Sequence, residues 1–269
     1  MIPEAAISPS KLVSHGASPD NFELECTTVW SFPQRGRWAG KSGSYRGNWA
    51  PQIPRNVILR YSSEGETVLD PMVGSGTTLV ECALTKRKGI GYDINPQVVS
   101  LAEENLKLAG FNGSHALKQG DARNLKELTP SSVDLVLTHP PYADIVRYSE
   151  GIKGDLSLVH GVQEFCAEIE QVARECFRVL KPNRFCAILM GDTRRKQHYI
   201  PLAFRVMEEF LKVGFVLKED VIKQQHNCRA THYWAGQSKK FNFLLIMHEH
   251  LFVFRKPDNS ETTSVLKRR

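Results

Sequence analysis

None of the six cysteines, Cys26, Cys82, Cys166, Cys176, Cys186 and Cys228, stands in a C-x-x-C pair. A thiolate zinc site has no basis in that pattern, and no metal is expected from it. Most of the cysteines sit within apolar stretches and read as small buried hydrophobes. No apolar run reaches the length that crosses a bilayer. The opening residues, MIPEAAISPSK, lack the charged-then-apolar order of a secretory leader, so a cytoplasmic setting is expected. Acidic residues are missing from two long stretches, one between Glu25 and Glu64 and one between Asp220 and Glu249.

What is present is ordinary for a globular chain of 269 residues, with 41% hydrophobic and 24% charged residues. That length supports one large domain or two small ones and a core that needs no staples. The net charge of +6 and pI of about 9.0 favour a polyanionic partner.

Residues 1–26 carry little pattern and read as an irregular arm, and 258–269 as a flexible polar tail. Residues 27–257 read as a single domain. From Glu66 onward, strand and helix signals alternate. Short apolar runs at 66–70, 89–93 and 115–121 each end in an acid. The segment 95–110 has Asn95 as a helix cap, Pro96 at the first helical position and Gly110 as a stop. A fourth strand is expected over 132–139 and a helix over 162–182 that stops at Pro182. A fifth strand follows at 184–192, then a helix at 199–215. Strands at 216–224 and 250–256, separated by a long loop, suggest an antiparallel edge. The expectation is an α/β fold with a doubly wound, mostly parallel, seven-stranded sheet and helices on both faces. Ligands of such sheets bind beyond the carboxyl ends of the strands. Asp70, Asp93, Asp121 and His139 all fall at such ends.

The stretch DPMVGSGTT, residues 70–78, joins the first of these strands to a helix, and Gly74 and Gly76 allow a tight turn and close approach to a ligand. It lacks the lysine of a phosphate-cradling P-loop and is not G-x-G-x-x-G. Asp70 is placed to meet a cationic group. Asp93, at the next strand end, suits the hydroxyls of a ribose, and Asp121 an exocyclic amine. Singly, each of these residues reads equally well as part of a turn or as a helix cap. Together they suit an adenosine that carries an amino-acid ammonium, which is S-adenosyl-L-methionine.

The fourth strand runs into His139-Pro140-Pro141-Tyr142. A base amine is a poor nucleophile because its lone pair is delocalised into the ring. Hydrogen-bond acceptors on its N–H groups push the nitrogen toward a tetrahedral, nucleophilic form. Pro140 offers a rigidly held carbonyl, neutral His139 offers one acceptor nitrogen, and Tyr142 offers a stacking surface for an unstacked base.

With these residues in view, the chain resembles the DNA amino-methyltransferases that methylate adenine N6 or cytosine N4. DPMVGSGTT resembles their cofactor loop and HPPY their (D/N/S)-P-P-(Y/F) tetrad. YRGNWAPQIPRNVILRYS (45–62) resembles the segment before that loop, and HEHLFVFRKP (248–257) their closing strand. The resemblance covers about residues 27–257. It implies a class I, Rossmann-like methyltransferase of the restriction-modification type. It adds Asn48, Trp49, Pro71 and Thr77 to the cofactor-holding set, and makes His139, Pro140, Pro141 and Tyr142 the catalytic set. His139 departs from the family's Asp, Asn or Ser, and no block of the size of the family's target-recognition insert is found. Three readings of the target follow: DNA, an RNA base, or no catalysis at all if His139 marks a lost site in a cofactor- or DNA-binding subunit. A specificity partner or a homodimer fits each.

Without that insert, the acid-free stretches become the expected nucleic-acid contacts. The first holds Arg35, Arg37 and Lys41 among Trp30, Phe32, Trp38, Tyr45 and Trp49. The second holds Lys223, Arg229, Lys239 and Lys240 beside Tyr233 and Trp234. Basic and aromatic residues mixed on loops suit a phosphate backbone and unstacked bases. Trp30 and Trp49 are expected to be largely buried. Arg147, after the tetrad, and Arg194, after the fifth strand, complete the basic set.

Overall fold

The computed structural model describes residues 19, 21–40, 48–111, 113, 115–142, 149, 151–196, 198–228, 231–258, 260, 261 and 263. Ten strands and six α-helices are formed by these residues: β1 Val29–Ser31, α1 Gln52–Tyr61, β2 Thr67–Asp70, α2 Thr77–Leu84, β3 Lys88–Asp93, α3 Pro96–Leu108, β4 His115–Gln119, β5 Val133–Thr138, α4 Val162–Val179, β6 Leu180–Met190, β7 Thr193–Arg195, β8 His198–Ile200, α5 Leu202–Val213, β9 Val216–Gln224, α6 Thr231–Phe241 and β10 His248–Arg255.

The main sheet runs β1-β9-β10-β6-β5-β2-β3-β4, while β7 and β8 form a separate hairpin. β2 pairs in parallel with β3 on one side and with β5 on the other, so the winding reverses between β2 and β5. Side chains of β5 alternate between two cores. Val136 joins the core under α4 and α5, while Leu135 and Leu137 join the one under α1. On α4, Phe165, Ile169, Val172, Cys176 and Val179 form one buried stripe at helical spacing. Phe210 of α5 stacks on Phe254 of β10 with ring centroids 4.9 Å apart.

The α/β architecture stands as expected, and four details differ. The sheet has eight strands where seven were expected, because Val29–Ser31 adds a short parallel edge to β9 through the buried Trp30. β10 is no edge: it lies between β6 and β9, antiparallel to both. The helix expected to run to Pro182 ends at Val179, and β6 begins at once. Pro182 falls in a register shift of β6, where a missing N–H costs no ladder bond. The expected long loop before β10 contains α6, which has no buried residue and so left no amphipathic signal.

On the α1–α2 side, Arg55 and Glu81 form a buried ion pair at 2.9 Å, with side chains 6% and 0% exposed. Trp38 donates its indole N–H to the same carboxylate at 2.7 Å. This pair docks the first acid-free stretch onto the helix that carries the cofactor loop. Glu81→Ala removes the carboxylate from a buried guanidinium, and unfolding free energy in urea is expected to fall by about 3–5 kcal/mol.

Candidate active site

A cleft opens at the carboxyl ends of β2, β3 and β5, where the winding reverses. Asn48, Trp49, Asp70, Pro71, Gly74, Asp93, Asp121, His139 and Pro141 line it. Gly76 and Thr77 lie just behind this lining, and Pro140 is buried beneath the turn.

Asp70 is the last residue of β2 and is 2% exposed. Its carboxylate accepts the Thr78 hydroxyl at 2.5 Å and the Met72 amide at 3.1 Å. Burial still dominates, pushing the Asp70 carboxyl up to about 6 against these hydrogen bonds. Asp93 ends β3 and accepts the amides of Gly74 at 3.1 Å and Asn95 at 3.0 Å. Its carboxyl is also raised, by burial first and then by the charge of Asp155, while those amides pull it back. The loop is held by two special glycines. Gly74 (φ 53°) and Gly76 (φ 82°) take left-handed backbone, and a Cβ on Gly76 would stand 3.4 Å from the Ala102 backbone of α3. Thr77 donates its hydroxyl to the Asn48 side chain, joining the segment before the loop to the start of α2.

Asp121 sits two residues past β4. Burial raises its carboxyl, but hydrogen bonds from the Arg123 side chain and amide outweigh this and leave it below the usual range. Arg123 also donates to the Gly154 carbonyl at 2.9 Å, which fastens the loop carrying Asp155 and Leu156 to the rim of the cleft. Asp155 is a cleft residue that sequence reasoning missed, because an acid in a glycine-rich loop gives no periodic signal.

His139 follows β5 directly. Its ring stacks on Trp49 with centroids 5.6 Å apart and planes 23° from parallel. Nε2 lies 2.6 Å from the Tyr142 hydroxyl, which donates to Glu249 Oε1 at 2.6 Å. Lys223 donates to Glu249 Oε2 at 2.7 Å. Burial raises the Glu249 carboxyl, but the Lys223 charge, the histidine and these hydrogen bonds hold it below the ordinary carboxylate range. Glu249 is therefore an ionised acceptor. The tyrosine proton points at it, which leaves the tyrosine oxygen to accept from His139 Nε2–H. Lys223, expected among the nucleic-acid contacts of the second acid-free stretch, is turned instead onto Glu249, which gave no sequence signal as a site residue.

The expected basic contacts separate into groups. Lys41, Arg147 and Arg229 lie outside the described residues. Arg35 is half-buried and donates to the Asn48 carbonyl at 3.0 Å, so it props the cleft from behind. Arg194 donates to the Leu244 carbonyl at 2.9 Å and lies over the rings of Tyr199 and Phe243. Arg37 is exposed, as are Lys239 and Lys240 on α6 next to Tyr233 and Trp234, which are 64% and 49% exposed. Trp30 and Trp49 are buried, in line with expectation.

The fold, with its reversal point and strand-end acids, is that of the class I methyltransferases. The family model described as DNA methylase matches residues 6–104 and 133–268, and the chain belongs to that family. A second model, an RMKL-like methyltransferase domain, matches residues 57–175. Type II methyltransferase M.HpaI of Haemophilus parainfluenzae is 35% identical over 105 residues, which is 39% of this chain and 31% of that protein. A tRNA (guanine(10)-N2)-dimethyltransferase of Methanothermobacter thermautotrophicus is 32% identical over 99 residues, 36% of this chain and 29% of that protein. The matches thus span less than a third of either relative. The crystal structure of TrmN from Thermus thermophilus superposes with a TM-score of 0.55 at 22% identity, covering 78% of this chain and 50% of that one.

The donor set of the cleft fits S-adenosyl-L-methionine, the cofactor of this class. The carboxylates offer acceptors for hydroxyls and amines, and Ile94, Val98, Ala122 and Leu156 supply apolar walls for a planar base. The raised Asp70 carboxyl gives a test of the electrostatics. A folded-state value above the ordinary 3.8 of an aspartate favours the protonated form. Its contribution to stability is thus fully present below that value and lost as pH rises through about 6. Asp70→Asn is expected to gain up to about 3 kcal/mol over wild type at pH 8 without cofactor. That advantage should vanish near pH 4 in melting experiments, and cofactor affinity should fall.

Proposed function

We propose that this protein transfers a methyl group from S-adenosyl-L-methionine to an exocyclic base amine, cytosine N4 or adenine N6, in DNA. The single observation that carries the reading is the hydrogen-bonded chain Lys223–Glu249–Tyr142–His139, which fixes the histidine tautomer beside the cofactor cleft. When bound, the cofactor supplies an electrophilic methyl on a sulfonium sulfur. Asp70, Pro71, Gly74, Gly76 and Thr77 form the loop that seats it, with Asn48 and Trp49 beside them. Asp93 takes the ribose hydroxyls, and Asp121 contributes an acceptor at the far end.

The neutral His139 ring accepts one N–H of the target amine, and a carbonyl of the Pro140-Pro141 turn accepts the other. Together they localise the nitrogen lone pair toward the methyl. An imidazolium has no acceptor nitrogen, so the reaction needs the neutral ring. Trp49 and Tyr142 keep the ring in place, and the Tyr142 ring adds a stacking surface for the base. The histidine in first position keeps the acceptor role that a carboxylate or amide would play, while making the rate depend on pH near neutrality. DNA reaches the cleft across the exposed basic and aromatic residues of α6 and past Arg37.

An RNA base is the second reading, favoured by the similarity to a tRNA dimethyltransferase. Purified protein with labelled cofactor, offered duplex DNA, single-stranded DNA and tRNA, distinguishes the two. Expression in a methylation-free host followed by sequencing for modified bases gives the base and its context. Cofactor binding with transfer to no nucleic acid would overturn both readings.

Two variants test the chain of hydrogen bonds. His139→Ala should lower the transfer rate at least 100-fold while leaving cofactor affinity within a few-fold. Tyr142→Phe keeps the ring and removes the hydroxyl, so DNA binding should persist while the rate falls about tenfold and the acid limb of its pH profile moves. A Tyr142→Phe enzyme with an unaltered pH profile excludes the tautomer role. Separately, a Lys239→Glu, Lys240→Glu double variant should weaken DNA binding and reduce the slope of log K against log salt by about 2.

A further inference from the structure

β10 presents alternate side chains to the two faces of the sheet. Glu249 faces the tetrad, with Leu251 and Val253 beyond it on the α1 side. His248 and His250 flank it on the opposite face, where His250 meets Phe204 of α5 at 4.8 Å. Asp192 stands on that same side, just after β6. One ligand atom from each of Asp192, His248 and His250 lies within 4.8 Å of the others. We propose that these three residues bind a divalent transition cation of the zinc class, at a site separate from the cofactor cleft.

The argument rests on what faces what. The Asp192 side chain is 1% exposed. One of its oxygens accepts the Ala203 amide at 2.8 Å, and the other accepts the Tyr199 hydroxyl. His250 Nδ1 lies 3.0 Å from Asp220 Oδ1, so Nδ1 carries the proton and donates it. In the neutral ring, Nε2 then holds a lone pair, and it faces Asp192 Oδ2 at 3.9 Å. Two acceptors confront each other across a gap too long for a hydrogen bond. A metal cation between them, or a second proton on the ring, makes that arrangement favourable, and the metal also accounts for the approach of His248.

The distances suit a metal. Histidine nitrogen and carboxylate oxygen bind zinc at about 2.0–2.2 Å, which places two tetrahedral ligands about 3.4 Å apart. A small side-chain rotation closes 3.9 Å to that value. Asp220 supplies the outer carboxylate that orients a metal-bound histidine and raises its basicity. His248 is half-buried, leaving the site reachable from solvent. Two histidines and one carboxylate leave the fourth position to water. The cysteine pattern gave no sign of such a site because histidines at i and i+2 on a strand carry none of the familiar zinc spacing. Bound there, the ion fastens the end of β6 to the start of β10. The ring of Tyr142 rests against Gly191, next to Asp192, where a Cβ would stand 2.8 Å from Tyr142 Cε2.

The test uses the full chain without an affinity tag, stripped with chelator and titrated with Zn²⁺ by calorimetry and with Co²⁺ by visible absorption. One equivalent of each should bind, with the intense bands of tetrahedral Co²⁺ and a raised melting temperature. His248→Ala should keep the circular dichroism spectrum, lose the Co²⁺ bands and bind Zn²⁺ at least tenfold more weakly. Asp220→Asn should weaken binding about tenfold without touching a ligand. Asp192 also caps the start of α5, so its replacement is avoided. Failure of wild type to bind one equivalent overturns the proposal and leaves a proton on His250 as the bridging cation. Equal binding by His248→Ala also overturns it, assigning the metal to exposed thiols such as Cys26 and Cys228.

Discussion

The parallel pairing of β2 with β5 is the contact on which the rest depends. Val68 aligns with Leu135 and Leu69 with Val136, and all four side chains are buried. The chain winds away from this pair in both directions, so the connecting loops diverge and leave a cleft at the strand ends. β2 ends in the cofactor loop, and β5 ends in the tetrad. Two segments separated by some 70 residues of sequence thus meet at one point because two apolar strands lie side by side.

The cleft is held open at an electrostatic cost. Asp70 is buried and Asp93 partly so, both with raised carboxyl groups, and among the described residues neither is paired with an arginine or lysine, unlike Asp121 with Arg123. A fold chosen for stability alone would have apolar residues or ion pairs there. The cost is sensible where a cationic, hydroxyl-rich ligand completes the set. Behind His139 the logic is reversed. Glu249 is buried but matched by Lys223, so its charge is permanent and serves as a fixed reference for the protons of Tyr142 and His139.

Much of this was legible in the sequence. Short apolar runs ending in Asp70 and Asp93, with the glycine loop between them, announced the parallel strands and the cleft at their ends. THPPY declared its strand end because two prolines cannot continue a ladder. What the sequence hid were pairings across the sheet. Lys223, grouped with the expected nucleic-acid contacts, pairs with Glu249 on the face that the segment bearing Trp49 covers. Arg35, grouped with surface bases, props Asn48 instead. α6 escaped notice because nothing on it is buried. Pro182 misled about a helix end because a bulge, and not a turn, accommodates it. For Lys223, Glu249 and Arg35 the deciding fact is a contact between residues apart in the chain, which periodicity does not encode.

The position of β10 sets an order of events. It follows both β6 and β9 in the chain, yet it lies between them and brings Glu249 to a tyrosine 107 residues earlier. The glycine loop, the strand-end acids and the tetrad all precede β10 in the chain. Under the proposed mechanism, a chain that ends before β10 carries every cleft-lining residue yet lacks the carboxylate toward which the Tyr142 proton is directed.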